Sequence, residues 1–316
     1  MRARGITYDT GFLPGTASRP AYDPGGVRRD MAVIAGELHC DAVRITGGDP
    51  DRIDVAARCA AERGLEVWYS PFPVDLAVDA MRELFADCAG RAERLRAGGA
   101  EVVLVTGCEI SAFGAGFIPG DTYGERLRAM ATADLDWWLS LGPVVERLNV
   151  FLADVVSVVR QRFHGPVTYA AGPWEPVDWQ PYDIVGVDAY RAAYNAAGFV
   201  DEVRGHFRHG KPVAVTEFGT CAYRGAGALG GNAWVVPDGA VRDESEQVTY
   251  LTELLDTYER LGVDVAFWFT FAQWTKPGAA DLGSYGVVRM LDDTRWEPKA
   301  VFHTMADRYR RTPSTT

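Results

Sequence analysis

Two rhythms alternate along this chain. Short runs rich in Val, Ile, Phe, Tyr and Trp give way to a loop, and then to a segment whose apolar residues return at helical spacing. Eight such runs occur, at residues 5–8, 42–46, 66–70, 102–106, 167–170, 184–189, 213–216 and 265–269. Between them Val27, Met31, Ile34 and Leu38 fall on one face of a helix, and Val248, Leu251, Leu255 and Tyr258 do so later. The later helix opens on Asp243, Glu244 and Glu246, anions that suit a helix N-terminus, and Gly262 stands where it should stop. Gly64 and Gly210 end earlier helices in the same way. Pro298 suits the first turn of a last helix carrying Phe302, Met305 and Tyr309.

Eight strand-then-helix units in succession predict an α/β protein, a (β/α)8 TIM barrel formed as a single domain over residues 1–316. A doubly wound open sheet would place a Gly-rich phosphate turn after its first strand. Here that segment reads Tyr8-Asp-Thr-Gly-Phe-Leu-Pro-Gly, which does not fit. In such barrels chemistry sits at the C-terminal ends of the strands. The residues closing the runs are Tyr8 and Asp9, Arg44, Tyr69, Glu109, Trp174 and Glu175, Asp188 and Tyr190, Glu217, and Trp268 with Trp274.

Composition removes several functions. A formal charge of −11 opposes phosphate binding, so no nucleic-acid partner is expected. Lys211, Lys276 and Lys299 all miss the strand ends, where a Schiff-base enzyme would need one. His39, His164, His206, His209 and His303 miss them too, which argues against a metal-dependent hydrolase and so against a metal ligand set. The five cysteines are scattered and lack any CxxC spacing, as expected of reduced thiols. No apolar leader precedes the first run, and no stretch approaches the about 18 apolar residues of a membrane span. These features point to a cytoplasmic protein without a membrane partner.

Carboxylates and aromatics remain, the pairing that glycosidic chemistry requires: one acid to protonate the departing oxygen, one carboxylate at the anomeric carbon, and rings against sugar C–H faces. The segment Lys211-Pro-Val-Ala-Val-Thr-Glu-Phe-Gly resembles the strand-seven motif of the clan A glycoside hydrolases, family five included. Val102-Val-Leu-Val-Thr-Gly-Cys-Glu is similar to their strand-four motif, and Gly262-Val-Asp-Val-Ala-Phe-Trp-Phe-Thr-Phe to their aromatic strand eight. Ser284-Tyr-Gly-Val-Val and Trp296-Glu-Pro-Lys-Ala resemble the stretch that closes many of these barrels. The chain also resembles actinobacterial proteins loosely labelled abortive-infection proteins, a label without chemical content.

The glycosidase resemblance implies Glu217 as nucleophile, Glu109 as acid/base, Arg44 as the strand-two arginine and Tyr190 as a strand-six tyrosine touching the nucleophile. It implies a retaining mechanism, no cofactor, and a small-molecule glycoside or glycosylated metabolite as partner. Tyr69, Trp174, Glu175, Asp188, Trp268 and Trp274 are candidate substrate contacts, although each aromatic could equally pack in the core. Cys108 stands where the family places an Asn that bonds the sugar 2-hydroxyl, and Asp188 where many relatives carry His. The Gly-rich stretch from Arg224 to Asn232 reads as a lid loop rather than a phosphate cradle. Two other functions fit the pattern: acid/base modification of a secondary metabolite without sugar cleavage, and a non-catalytic carbohydrate-binding or defence-related barrel.

Overall fold

The computed structural model describes residues 1–13 and 18–310. Eight parallel strands follow one another around a barrel: β1 (Ala3–Asp9), β2 (Ala42–Gly47), β3 (Glu66–Pro71), β4 (Val102–Cys108), β5 (Val167–Ala170), β6 (Val185–Asp188), β7 (Val213–Phe218) and β8 (Val265–Trp268). β1 pairs with both β2 and β8. The remaining seam, β5 to β6, closes through a parallel bridge between Ala171 and Val187. The eight apolar runs of the sequence thus become the eight staves of a (β/α)8 barrel.

Side-chain alternation along each strand divides the core into two layers. Ala42 on β2, Trp68 on β3, Val103 and Val105 on β4 and Phe267 on β8 pack together in the lumen. Their neighbours Val43, Ile45, Val67, Tyr69, Leu104 and Ala266 join the larger shell between strands and helices. The floor of the lumen is tight: the Trp68 and Phe267 ring centroids are 4.9 Å apart. A Cβ on Gly5 would lie 2.5 Å from the Phe267 ring, so β1 must carry glycine there.

The outer helices include α1 (Pro24–Gly36), α2 (Pro50–Ala61), α3 (Val78–Ala97), α7 (Gly142–Arg160), α8 (Phe199–Gly205), α9 (Ser245–Leu261) and α10 (Ala300–Arg310). Asp23 and Asp49 cap α1 and α2 through their carboxylates, each followed directly by the proline that opens the helix. Gly262 follows α9 at φ 81°, a conformation open to glycine. Between β4 and α7 the chain inserts α4 (Ile110–Phe113), α5 (Tyr123–Ala131) and α6 (Leu135–Leu139) above the barrel mouth. The fully buried Arg126 holds this insertion, donating to the carbonyls of Ala112 at 2.6 Å, Gly120 at 2.8 Å and Phe113 at 2.9 Å, and pairing with Asp75. Among the described residues no helix is long and apolar enough to cross a membrane.

One boundary differs from the sequence reading. Pro298 is not in the first turn of α10; it ends β10 (Trp296–Pro298), a strand paired antiparallel with β9 (Val288–Met290), and α10 starts at Ala300. The hairpin is tied to the barrel mouth by Lys299, whose ammonium lies 2.9 Å from Asp281, both side chains almost wholly buried. Arg242 also donates to Asp281, at 2.9 Å.

Removing one member of a buried ion pair leaves the other charge uncompensated. Asp281→Ala is therefore expected to lower unfolding stability by about 3–5 kcal/mol. Urea denaturation of the two proteins measures this, and a loss below about 1 kcal/mol, the range of exposed pairs, would contradict it.

Candidate active site

Arg44 projects from the middle of β2 into the upper lumen with no solvent exposure. It is held by Ser70 Oγ on β3, at 3.1 Å from Nε, and by the Thr216 carbonyl on β7, at 3.1 Å from Nη1. Nη1 also donates to Glu217 Oε1 at 2.7 Å, and the Tyr190 hydroxyl donates to Glu217 Oε2 at 3.0 Å. Each oxygen of the Glu217 carboxylate thus has its own donor. Beside it, Asp188 Oδ1 accepts from Thr216 Oγ1 at 2.7 Å. Cys108 Sγ lies 3.4 Å from Asp188 Oδ2 and 3.7 Å from Glu217 Oε1.

Strict alternation would not aim these residues together. Ala214 on β7 points into the lumen and Val215 outward, so Thr216 should point in and Glu217 out. A register shift after Val215 brings Glu217 into the lumen as well and turns Phe218 outward into the shell. On β4 a shift after Val105, with Gly107 at φ 100°, likewise turns Cys108 into the lumen. Such irregularities commonly re-aim side chains beside active sites.

Glu109 follows at φ 45° and ψ 42°, the left-handed region, which costs a non-glycine residue on the order of 1 kcal/mol or more. The surroundings secure that turn. Its own N–H donates to the Ala170 carbonyl at 2.9 Å, the next N–H, of Ile110, to the Tyr169 hydroxyl at 2.7 Å, and that of Ser111 to Glu175 Oε1 at 2.9 Å.

The other sequence candidates divide. Tyr190 joins Glu217 as expected. Tyr69 does not reach the site: it neighbours Trp68, which points inward in register with Arg44, so Tyr69 faces the helices, its hydroxyl 3.3 Å from the Pro50 carbonyl. Trp268 faces outward for the same reason, against Phe218 and Tyr250, with its indole N–H on the Tyr285 carbonyl at 3.0 Å. Trp274 packs behind β1, donating to the Asp9 carbonyl at 3.2 Å, with the Arg19 guanidinium 3.8 Å from its ring. Trp174 is partly exposed and donates to Ser111 Oγ at 3.0 Å. Glu175 is buried and spent on backbone and tyrosine donors.

Residues the sequence did not single out complete the mouth. Phe269, one step beyond Trp268, is half-buried against Tyr285, and Tyr285 in turn lies 6.2 Å from Tyr190. Alternation counted from Phe267 would have found Phe269. The Gly-rich loop is pinned rather than open: Glu246 accepts the Gly225 N–H at 2.8 Å and the Gly227 N–H at 3.2 Å, and Tyr285 donates to the Gly230 carbonyl at 3.0 Å. A glutamate already holds the donors that a phosphate would use.

Burial, together with the charges of Asp188, Glu217 and Glu175, pushes the Glu109 carboxyl well above the usual carboxylate range. Asp188 is also raised, by burial and by Glu217, against the opposing effects of Arg44, Thr216 and Cys108. The Cys108 thiol is pushed up by burial, Asp188 and Glu217, so it remains a thiol at neutral pH. At the β1 end, burial lifts Asp9 to about 6. Cys108 Sγ and one oxygen each of Asp188 and Glu217 lie within 4.8 Å of one another, a donor set of the kind that holds metals. The Arg44 guanidinium already supplies the positive charge at that point and would repel a second cation.

Eight parallel strands ringed by helices define a class, the (β/α)8 barrels. A solved GH113 β-1,4-mannanase is 14% identical, with a TM-score of 0.67 over 98% of this chain and 99% of that one. The β-mannanase AaManA from Alicyclobacillus acidocaldarius, in complex with ManMIm, is 17% identical, with a TM-score of 0.63 over 96% of each chain. A fungal β-1,4-galactanase is 12% identical, with a TM-score of 0.60 over 97% of this chain and 99% of that one. By sequence, no family model and no curated protein matches the chain. At these identities the likeness establishes the fold.

The raised carboxyls make a stability prediction. A group whose folded pKa exceeds its unfolded value favours the fold fully below the unfolded pKa, and that contribution is lost as pH rises toward the folded value. Asp188→Asn removes one such group, so it should stabilise the protein at neutral pH by about 1 kcal/mol. The gain should vanish below the ordinary carboxylate range. Unfolding midpoints of both proteins across that pH range test this, and a gain confined to acid pH would contradict it.

Proposed function

We propose that the protein is a retaining glycosidase. The observation that carries this reading is the contrast between its two glutamates: both oxygens of Glu217 accept hydrogen bonds, from Arg44 and Tyr190, whereas burial and neighbouring carboxylates raise Glu109 well above the usual carboxylate range. A poised nucleophile and a poised acid at one barrel mouth are what double displacement requires. Glu217 attacks the anomeric carbon, forming a C–O bond as the glycosidic C–O bond breaks, and the Glu109 proton passes to the departing oxygen. Glu109, now a carboxylate, then takes a proton from water as that water attacks the anomeric carbon and releases Glu217. The substrate is a small-molecule glycoside or a glycosylated metabolite.

Cys108 narrows the sugar. Its thiol carries one weak donor hydrogen, and that hydrogen faces the Asp188 and Glu217 carboxylates rather than open cleft. A sugar 2-hydroxyl in this place gains none of the amide contact implied by the family pattern. We therefore assign a sugar that is 2-deoxy or otherwise altered at C2.

Glu217→Gln should abolish turnover. Glu109→Ala should lose about 10²–10⁴-fold on glycosides with poor leaving groups, retain much of its rate on dinitrophenyl glycosides, and be rescued by azide with retained configuration. Equal losses in both variants on the activated substrate would remove the separate roles. For the sugar, kcat/KM for matched 2-hydroxy and 2-deoxy aryl glycosides, corrected for spontaneous reactivity, should favour the 2-deoxy compound. Cys108→Asn should narrow that difference. A wild-type preference for the 2-hydroxy sugar would defeat the assignment.

A further inference from the structure

Glu109 occupies a backbone conformation that it does not itself stabilise, since its side chain makes no cap bond to the helix that follows. The two N–H groups after it are instead captured from β5 and the loop beyond. Ile110 donates to the Tyr169 hydroxyl at 2.7 Å, and Ser111 donates to Glu175 Oε1 at 2.9 Å. Because the Tyr169 oxygen accepts from Ile110, its single proton is free for Glu175 Oε2, 2.8 Å away. Oε2 also accepts the Gly172 N–H at 3.1 Å. Burial raises the Glu175 carboxyl, and its partners here oppose that shift, since every one of them is a donor that favours the carboxylate. Trp174 completes the brace through Ser111 Oγ, at 3.0 Å.

Both residues stand behind the end of β4. Tyr169 is fully buried in the shell between strands and helices, and Glu175 is 6% exposed. Neither has room to touch a substrate. Their reach is to the turn that aims Glu109.

We infer that Glu175 and Tyr169 are positioning residues which fix the left-handed turn of Glu109 and place a carboxylate behind it, so that Glu109 serves as an acid. This inference rests on the reading of Glu109 as the acid/base. The charge acts in the expected sense, since Glu175 is among the groups that raise Glu109, after burial, Asp188 and Glu217. The two members separate the two effects. Tyr169→Phe removes the bond to Ile110 and leaves the charge, whereas Glu175→Gln removes the charge and sets a donor against donors.

The test compares phenyl and 2,4-dinitrophenyl glycosides of one sugar. In both variants kcat/KM on the phenyl glycoside should fall by about tenfold or more, while the dinitrophenyl glycoside, which needs no acid, stays within about twofold. In Glu175→Gln the alkaline limb of the pH profile should also move to lower pH, because Glu109 loses a negative neighbour. Tyr169→Phe should move it less. Equal losses on both substrates, or an unmoved limb in Glu175→Gln, would overturn the inference. If Glu175→Gln does not fold, the leaving-group ratio in Tyr169→Phe decides. If the wild-type enzyme cleaves neither glycoside, the glycosidase reading fails first. Carbon-13 titration of the Glu109 carboxyl, assigned with Glu109→Gln, then still judges the brace: a lower Glu109 pKa in Glu175→Gln supports it, and an unchanged one refutes it.

Discussion

The guanidinium of Arg44 lies in the barrel with no solvent exposure. Transferring such a charge from solvent costs several kcal/mol, which good geometry and an opposite charge must offset. β3 and β7 meet this requirement with Ser70, the Thr216 carbonyl and the Glu217 carboxylate, so one side chain links three staves of the barrel. The surrounding architecture follows from it. The Glu217 carboxylate faces Arg44, and its charge disfavours ionisation of Asp188 and Glu109 in the same space. Burial works against the guanidinium charge, but the negative charges of Glu217 and Asp188 outweigh it and leave the Arg44 pKa above the ordinary guanidinium value.

Glu109 and Asp188 bear the consequence. Both are raised by burial before any charge is considered, and the Glu217 charge adds to that. Such an arrangement is poor for stability and useful for chemistry, because a carboxyl raised in this way can donate a proton. Cys108 fits the same field. Where an amide would bring a fixed dipole, the thiol brings a small, neutral, weakly donating group between two carboxylates.

The mouth is built on rigid elements. Bulges at the ends of β4 and β7 aim the functional side chains, a tyrosine and a glutamate brace the turn after β4, and the Gly-rich loop after β7 is fastened by Glu246 and Tyr285. Sites held on strands and supported from behind keep their geometry better than sites carried on free loops.

The barrel was legible in the sequence because hydrophobic periodicity is a local property: each βα unit announces itself within its own residues, and the strand-end rule then locates Arg44, Glu109, Asp188, Tyr190 and Glu217 without coordinates. Strand alternation was legible too, and counting it from Arg44 and Phe267 would have kept Tyr69 and Trp268 out of the cleft in favour of Phe269. Three things only the tertiary structure decided. The bulges that turn Cys108 and Glu217 inward depend on how neighbouring strands pair, which no single strand encodes. Glu175 read as a candidate substrate contact, whereas Ile110, Ser111, Tyr169 and Gly172 converge around it and its hydroxyl partner. The protonation states depend on burial and on charges brought together from β2, β4, β6 and β7, and a chain read in one dimension carries neither distance nor dielectric.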